Sequence, residues 1–385
     1  MPTTITDASN AMENSASLAV PRQSGAMQAD AGISWYENEV PAFVEAELER
    51  LYGSLFSSLA HFRIYGGAEE ASTYVVRHDG APTVVLLFRR EPGAVRVINE
   101  GIRIEPEEIV RFATQIFGRY PSIARIIWHA LDIDRFSCPF PFHRYPCTDD
   151  SIVTLPATAD EYLAQLGKPT RKNIRRYQRR LVECFPSFHY QISERDQIDE
   201  RQAQAIIELN RIRRKRKHKT SGIDALEADR MIRLAKEKGF AAVATIDGKV
   251  CAGALVFQFG KHYYSRVRAH DPQYDDYRLG LVGGYLLITE CIARGGATLH
   301  FLAGGEKHKA ILQGKHKDLH HLTLYRSRLH YLRESPAILK SECKVRMRNI
   351  VQRARAAEAV NDSEDAMANG LIRVLRLARK FFAKT

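Results

Sequence analysis

Apolar and polar residues follow the same order in two blocks of the chain. In the first block, residues 74–76 and 83–88 read as strands around Asp79-Gly80, a pair that favours the tight turn of a β-hairpin. Glu91-Pro92-Gly93 turns the chain again, and residues 94–99 read as a third strand. Pro106 opens a helix that runs to about residue 117, and residues 123–129 read as a fourth strand. The second block repeats this pattern. Residues 240–246 and 250–259 flank Asp247-Gly248, residues 262–269 form a further strand, a glycine-bearing loop leads into a helix over 282–293, and 297–302 is again a strand. Two copies of hairpin, strand, helix and strand imply two similar domains rather than a solenoid.

The rest of the chain fits around these copies. Residues 1–33 carry no apolar period and are expected to be a flexible tail. The stretch from Pro41 to Phe62 reads as one helix. Thr158 or Asp160 caps a helix over 161–166, and Pro169 and Thr170 start a basic helix. The aromatic segment 139–146, flanked by Cys138 and Cys147, reads as a connector between domains. Residues 322–329 form a strand, and helices over about 336–359 and 364–383 end the sequence. The expected division is a tail (1–33), a first domain (34–150), a second domain (151–335) and basic C-terminal helices (336–385).

Charge and cysteine content narrow the function classes. Among 385 residues, a formal net charge of +12 favours anionic partners such as a phosphate-rich ligand, nucleic acid, an acidic glycan or a membrane surface. Six cysteines include no CxxC pair and no spacing that suits zinc, so no metal is expected and the thiols read as free, in a reducing cytoplasm. The N-terminal residues have neither the basic nor the apolar segment of a signal peptide, and no run is apolar enough to span a bilayer. In the last helix, Leu371, Leu375, Ala378 and Phe382 share a face apart from Arg373, Arg376 and Lys380, a pattern compatible with peripheral membrane contact or with docking on the protein itself.

The two copies differ where their helices begin. A helix N-terminus presents unpaired N–H groups and partial positive charge, and glycines let an anion approach the backbone. The second copy reads YRLGLVGGYLL, with Arg278 as a cation and Gly280, Gly283 and Gly284 free of side chains. The first reads GIRIEPEEIV, where Glu105, Glu107 and Glu108 repel a phosphate. The nucleotide site is therefore expected in the second copy.

Other residues suggest chemistry. Strand alternation puts Tyr264, Arg266 and Arg268 on one face, with Arg268 a candidate for binding substrate or cofactor. Arg171 and Arg175 share a helix side, and residues 211–219 form a second basic run; both are solvated faces or anion sites. A thiol nucleophile built from Cys138 or Cys147 with His143 is a weaker candidate.

Three stretches carry a resemblance: LPATADEYLAQLGKPTRKNIRRYQRRL (155–181), DPQYDDYRLGLVGGYLL (271–287) and HFLAGGEKHKAIL (300–312). With the order of elements, they resemble the GNAT acyltransferases, and more closely the tandem branch of cellulose-biosynthesis-type acetyltransferases related to Fem peptidyltransferases. The chain departs from that branch with His300 in place of Asp, His308 in place of Tyr, and Leu279 in place of the proline before the loop glycine.

The resemblance implies a mixed α+β fold of two tandem GNAT-like domains, each a mostly antiparallel sheet flanked by helices. It implies acyl, typically acetyl, transfer from acyl-CoA to an amine or hydroxyl of a small-molecule or glycan-linked acceptor, as in polysaccharide biosynthesis. Arg268, Arg278, Gly280, Gly283 and Gly284 would bind the cofactor, and Arg171, Arg175 and Tyr264 the substrate. Glu306 or His308 would act as base, with Lys309 binding substrate or a phosphate. A Fem-type transferase using aminoacyl-tRNA and a non-catalytic binding protein are the alternatives.

Overall fold

The computed structural model describes residues 32–216, 221–303 and 306–336, without the side chains of 306–308. The expected tail to residue 31 and the helices past 336 lie outside the described residues. Among the described residues, twelve strands form one sheet: β1 (Gly32–Tyr36), β2 (Ser72–His78), β3 (Ala81–Glu91), β4 (Ala94–Val97), β5 (Arg125–Leu131), β6 (Phe142–Thr154), β7 (His189–Glu194), β8 (Gly239–Ile246), β9 (Lys249–Phe259), β10 (His262–His270), β11 (Thr298–His300) and β12 (Lys315–Tyr325). Their spatial order is β1-β2-β3-β4-β5-β12-β6-β11-β10-β9-β8-β7. The helices are α1 (Val44–Tyr52), α2 (Leu59–Tyr65), α3 (Pro106–Arg119), α4 (Ala159–Gln165), α5 (Lys168–Cys184), α6 (Glu200–Arg216), α7 (Ala225–Lys238), α8 (Leu279–Ala293) and α9 (Glu306–Ile311).

The repeat is visible in space. β2-β3-β4-α3-β5 and β8-β9-β10-α8-β11 follow one path, and each ends on a parallel pair in an otherwise antiparallel sheet. Asp79-Gly80 and Asp247-Gly248 have positive φ at both positions, as a type I′ turn requires. β12 runs between β5 and β6 and so ties the copies together; it pairs with β6 from Lys315↔Ile152 to Leu324↔Phe142.

Helices α1, α2, α6 and α7 cover one face of the sheet, and α3, α4, α5 and α8 the other. Phe112 of α3 and Trp128 of β5 are fully buried in the first core, while Leu287 and Ile288 of α8 pack with Tyr263 in the second. The apolar positions of α6 and α7, including Ile206, Ile207 and Met231, bury against β9 and β10.

Several expectations are corrected. The helix expected from Pro41 to Phe62 is two helices, because Gly53 takes a left-handed conformation (φ 52°) and its N–H closes α1 on Leu48 and Glu49. The aromatic connector is partly strand, since β6 begins at Phe142 and finds its partner in β12. The strand expected over 322–329 is shifted to Lys315–Tyr325. The domain limit expected between residues 150 and 151 falls inside β6, which pairs with both β12 and β11.

Candidate active site

The parallel strands β10 and β11 pair only through His262–Tyr264 and Thr298–His300. Beyond this, residues 265–270 stay on β9 while Phe301 and Leu302 turn toward β6. Among the described residues, no backbone hydrogen bond joins 265–270 to 301–303. The result is a wedge that opens between two strands, with α8 packed along one side.

The start of α8 faces this wedge. After β10 the chain makes a short 3-10 turn, capped by the Asp271 carboxylate on Gln273 N–H (3.0 Å), and reaches Arg278 in a left-handed conformation (φ 51°). The N–H groups of Leu281 and Val282 bond back to Arg278 carbonyl, so those of Leu279 and Gly280 are the donors left without an intrahelical partner. The three glycines differ. A Cβ at Gly283 meets nothing within 4 Å, one at Gly280 comes within 2.7 Å of the His270 ring, and one at Gly284 within 2.2 Å of Arg268 Nη1. Gly283 therefore leaves the helix surface bare, while Gly280 and Gly284 make room for side chains of β10.

Cations surround this helix start. The exposed Arg278 and Arg176 of α5 both donate to the Tyr177 hydroxyl, and Arg278, the larger cause, draws that phenol below its usual range. Arg180 of α5 lies 4.7 Å from the Tyr277 ring centroid. Arg171 reaches the Ala164 carbonyl at the end of α4 (3.5 Å), and Arg175 is exposed one turn further on.

Arg268 is the most constrained cation in the wedge. Its guanidinium lies 4.7 Å from the Phe301 ring centroid, and its buried Nη1 has no hydrogen-bond partner. Burial, and then the neighbouring charge of Arg213 from α6, push its pKa down to about 10. Arg213 is itself lowered by burial and by Arg214. Two neighbouring, largely desolvated guanidinium groups carry a cost that a nearby anion relieves.

The single face expected for Tyr264, Arg266 and Arg268 is not observed. A β-bulge between Ser265 and Val267 inserts a residue and inverts the alternation. Tyr264 and Val267 bury against α6 and α7, Arg266 reaches out to Glu227 (3.1 Å), and Arg268 turns to α8. The Tyr264 hydroxyl donates to the Gly53 carbonyl (2.9 Å), so this side chain joins the first copy to the vertex of the wedge.

That vertex holds a polar chain which the sequence did not reveal. His300 Nδ1 lies 2.7 Å from Asp150 Oδ2, and its Nε2 lies 2.9 Å from Thr298 Oγ1. Thr298 Oγ1 is also 2.8 Å from His262 Nδ1, and the His300 ring stacks on Tyr264 at 4.4 Å. Burial, and then His300, hold the His262 imidazole below its usual range. The other Asp150 oxygen accepts from Ser151 N–H (2.6 Å) and Leu302 N–H (2.8 Å). Leu302 has φ 57°, a left-handed conformation that an aliphatic residue seldom adopts, so the strand end is held under strain at the wedge.

Lys309 of α9 is buried, and its Nζ donates to the Leu302 carbonyl. Glu306 and His308 lie on the same short helix, where their side chains are not described. The fold thus brings Arg268, Gly284, Lys309 and the β11 end together around the wedge, with Arg278, Gly280 and Gly283 at the helix start beside it. Arg171 and Arg175 lie on α5, further out. Among the described residues, no group of three or more His, Cys, Asp or Glu side chains is placed to hold a metal, and no helix is long and apolar enough to cross a membrane.

Residues 168–310 match the family model described as the acetyltransferase (GNAT) domain. No curated protein matches this chain in sequence. Among solved structures, FemX superposes with a TM-score of 0.57 at 11% identity, covering 76% of this chain and 98% of that one. L-PGS from Bacillus licheniformis gives 0.46 at 11% identity, covering 81% and 97%. A tandem GNAT protein from the clavulanic acid biosynthesis pathway gives 0.38 at 12% identity, covering 76% and 98%. The likeness to FemX is one of fold, and the domain match takes in β10, α8 and β11: the chain has a tandem GNAT-like fold whose second copy carries the match to the acetyltransferase domain.

Proposed function

We propose that the protein is a cytoplasmic acyltransferase of the cellulose-biosynthesis-type branch, moving an acyl group, typically acetyl, from acyl-CoA to an amine or hydroxyl of a small-molecule or glycan-linked acceptor. The observation that carries this reading is the open wedge of the second copy, where Arg268 directs an unpartnered guanidinium N–H and α8 presents a bare glycine start. A phosphate-bearing thioester fits this donor set. The free N–H groups of Leu279 and Gly280, with Arg278 beside them, suit the pyrophosphate, and Arg268 with Arg213 suits a further anionic or carbonyl oxygen. Acyl-CoA supplies a carbonyl already activated as a thioester.

The chain's own residues then have three tasks. Glu306 or His308 of α9 takes the proton of the attacking amine or hydroxyl. Lys309 and Asp150 fix the strained Leu302 from its two sides, through its carbonyl and its N–H. His300, fixed by Asp150 and Thr298, sets the vertex against which the acceptor is oriented. Arg171 and Arg175 retain their proposed roles toward substrate; Tyr264, expected to bind substrate, is instead buried with its ring on His300 and its hydroxyl on the Gly53 carbonyl, and supports the vertex from within.

Isothermal titration with acetyl-CoA and with free CoA tests the assignment. Micromolar binding that is lost in Gly283→Glu supports it, because this position has room for a side chain and the new carboxylate repels phosphate. Affinity unchanged by Gly283→Glu sinks the loop assignment. Gly284→Glu is a poorer probe, since Gly284 is packed against Arg268 and Leu312.

The cations on α5 favour a second reading, a Fem-type transferase whose donor is aminoacyl-tRNA. Arg176 and Arg180 extend the positive surface from Arg278. Retention of tRNA that weakens steeply with salt supports it, and no retention at low salt removes it. A non-catalytic binding protein is left as the reading if no acyl donor is turned over.

A further inference from the structure

The junction between the copies holds a second group of reactive side chains, away from the wedge. β12 is irregular on both edges at one level: its register against β5 shifts between His320 and Leu322, and against β6 between Leu319 and His320. At that level His129 of β5 and Cys147 of β6, on strands to either side of β12, come close enough for the thiol to raise the His129 pKa, and the Cys147 thiol donates to the Leu319 carbonyl of β12 (3.4 Å). The next residue, Ala130, is held at φ 53°. The Glu100 carboxylate lies 3.3 Å from His129 Nδ1, and the Glu100 carbonyl is fixed by the Ser54 and Ser57 hydroxyls at 2.7 and 2.8 Å. The sequence suggested His143 as a partner for Cys138 or Cys147; at the irregularity of β12 it is His129 whose imidazole the Cys147 thiol affects.

We propose that Cys147, His129 and Glu100 form a second acyl-transfer centre, in which the Cys147 sulfur attacks small thioesters. A thiol becomes a strong nucleophile when an imidazole takes its proton, and a carboxylate on the other side of the ring holds that imidazole in place. The Cys147 and Glu100 contacts raise the His129 imidazole to about 10, so it holds a proton beside the sulfur at neutral pH. His129 and Glu100 side chains are 46% and 40% accessible, which leaves the centre open to a donor. The His321 ring, stacked on Tyr145 at 4.9 Å and 6.0 Å from His129, forms one wall.

The step is a transthioesterification. A bond forms between Cys147 Sγ and the acyl carbon, and the donor's own carbon–sulfur bond breaks. The proton that His129 has already taken from Cys147 passes to the departing thiolate. The products are a free thiol and an acyl thioester on Cys147. Glu100 is a positioning residue, since it acts through His129. The centre is independent of the acyl-CoA site in the second copy.

The full chain incubated with S-acetyl-N-acetylcysteamine, followed by intact mass and peptide mapping, tests this. One acetyl group on Cys147, released by neutral hydroxylamine and absent in Cys147→Ser and His129→Gln, is the expected result. Gly283→Glu keeps this labelling, which separates the centre from the wedge. Iodoacetamide alkylates Cys147 about tenfold faster than the exposed Cys184 in the same chain. Glu100→Gln slows that alkylation, and Glu100→Asp recovers part of the rate. A Cys147 that stays unacetylated and reacts no faster than Cys184 overturns the proposal, as does labelling indifferent to His129→Gln.

Discussion

The first copy also has a parallel strand pair that splays, and there the wedge is shut. β4 and β5 pair through Ala94–Arg96 and Arg125–Ile127 and then separate. Into the gap runs the chain's own backbone: Gly101 N–H bonds to Ala130 carbonyl, Asp132 N–H to Ile102 carbonyl (both 2.9 Å), and Arg103 bridges to Asp132. In the second copy the same gap is lined by Arg268 and Phe301. Strand and helix are joined by eight residues in both copies, 98–105 and 271–278. In one the link folds back onto the partner strand; in the other it winds into a short turn over α5. Helix starts follow suit, with Glu107 and Glu108 in the first turn of α3 and no acidic residue in the first turn of α8. One topology thus yields an open wedge or a closed one according to how its link satisfies its own N–H groups.

The strongest test of this contrast is binding stoichiometry. One acyl-CoA per chain is expected, and Gly283→Glu should weaken it at least about a hundredfold, about 3 kcal/mol. Two sites per chain, or one site that survives Gly283→Glu, would break the comparison. A somewhat smaller effect is expected at the vertex. Asp150→Ala leaves the buried N–H groups of Ser151 and Leu302 and the His300 imidazole without their acceptor, for a loss of about 2–3 kcal/mol in denaturant unfolding. Its turnover should fall at the same time, because the wedge end at Leu302 is no longer fixed.

How far these features could be read in advance depended on their range along the chain. Hairpins set by Asp79-Gly80 and Asp247-Gly248, and the contrast between RLGLVGG and EPEE, are local and were legible. Asp150 with His300 was not, because the pair is 150 residues apart and forms only when β6 pairs with β11. The bulge at Arg266 leaves no mark in a strand pattern that otherwise alternates, so alternation alone places Arg268 on the face of Tyr264. β6 was obscured because its partner β12 lies far away in sequence. Gly53, inside a helical pattern, was the one signal of the α1–α2 break, and it was outweighed by the apolar residues around it.

Acid should loosen the closed half. Burial lowers His61 of α2 and His321 of β12 from 6.5 to about 4. Each is neutral when folded and takes up a proton more readily once unfolded. Their contribution is therefore complete above pH 6.5 and is lost as the pH falls from there toward about 4. A Tm that declines through this window is expected, with a shallower slope in His61→Gln. A slope unchanged by that substitution would place the acid sensitivity elsewhere.

The finest distinction between the copies rests on two single methyl groups. Gly101 has φ 66°, and a Cβ there would come within 2.9 Å of the Ser54 hydroxyl, so Gly101→Ala should cost about 1 kcal/mol of stability. It should leave acyl-CoA affinity unchanged, because the strand gap it strains is already filled. Gly283 lies inside α8 with open space beside it, so Gly283→Ala should stabilise the fold by up to about 1 kcal/mol. It should nevertheless weaken acyl-CoA binding, because the added methyl stands where the ligand meets the helix. The same substitution thus moves stability in opposite directions and affinity in only one copy. If Gly101→Ala lowers affinity as much as Gly283→Ala, the closed wedge is coupled to the open one through Ser54 and Gly53 to Tyr264, and the first copy is part of the binding machinery rather than its support.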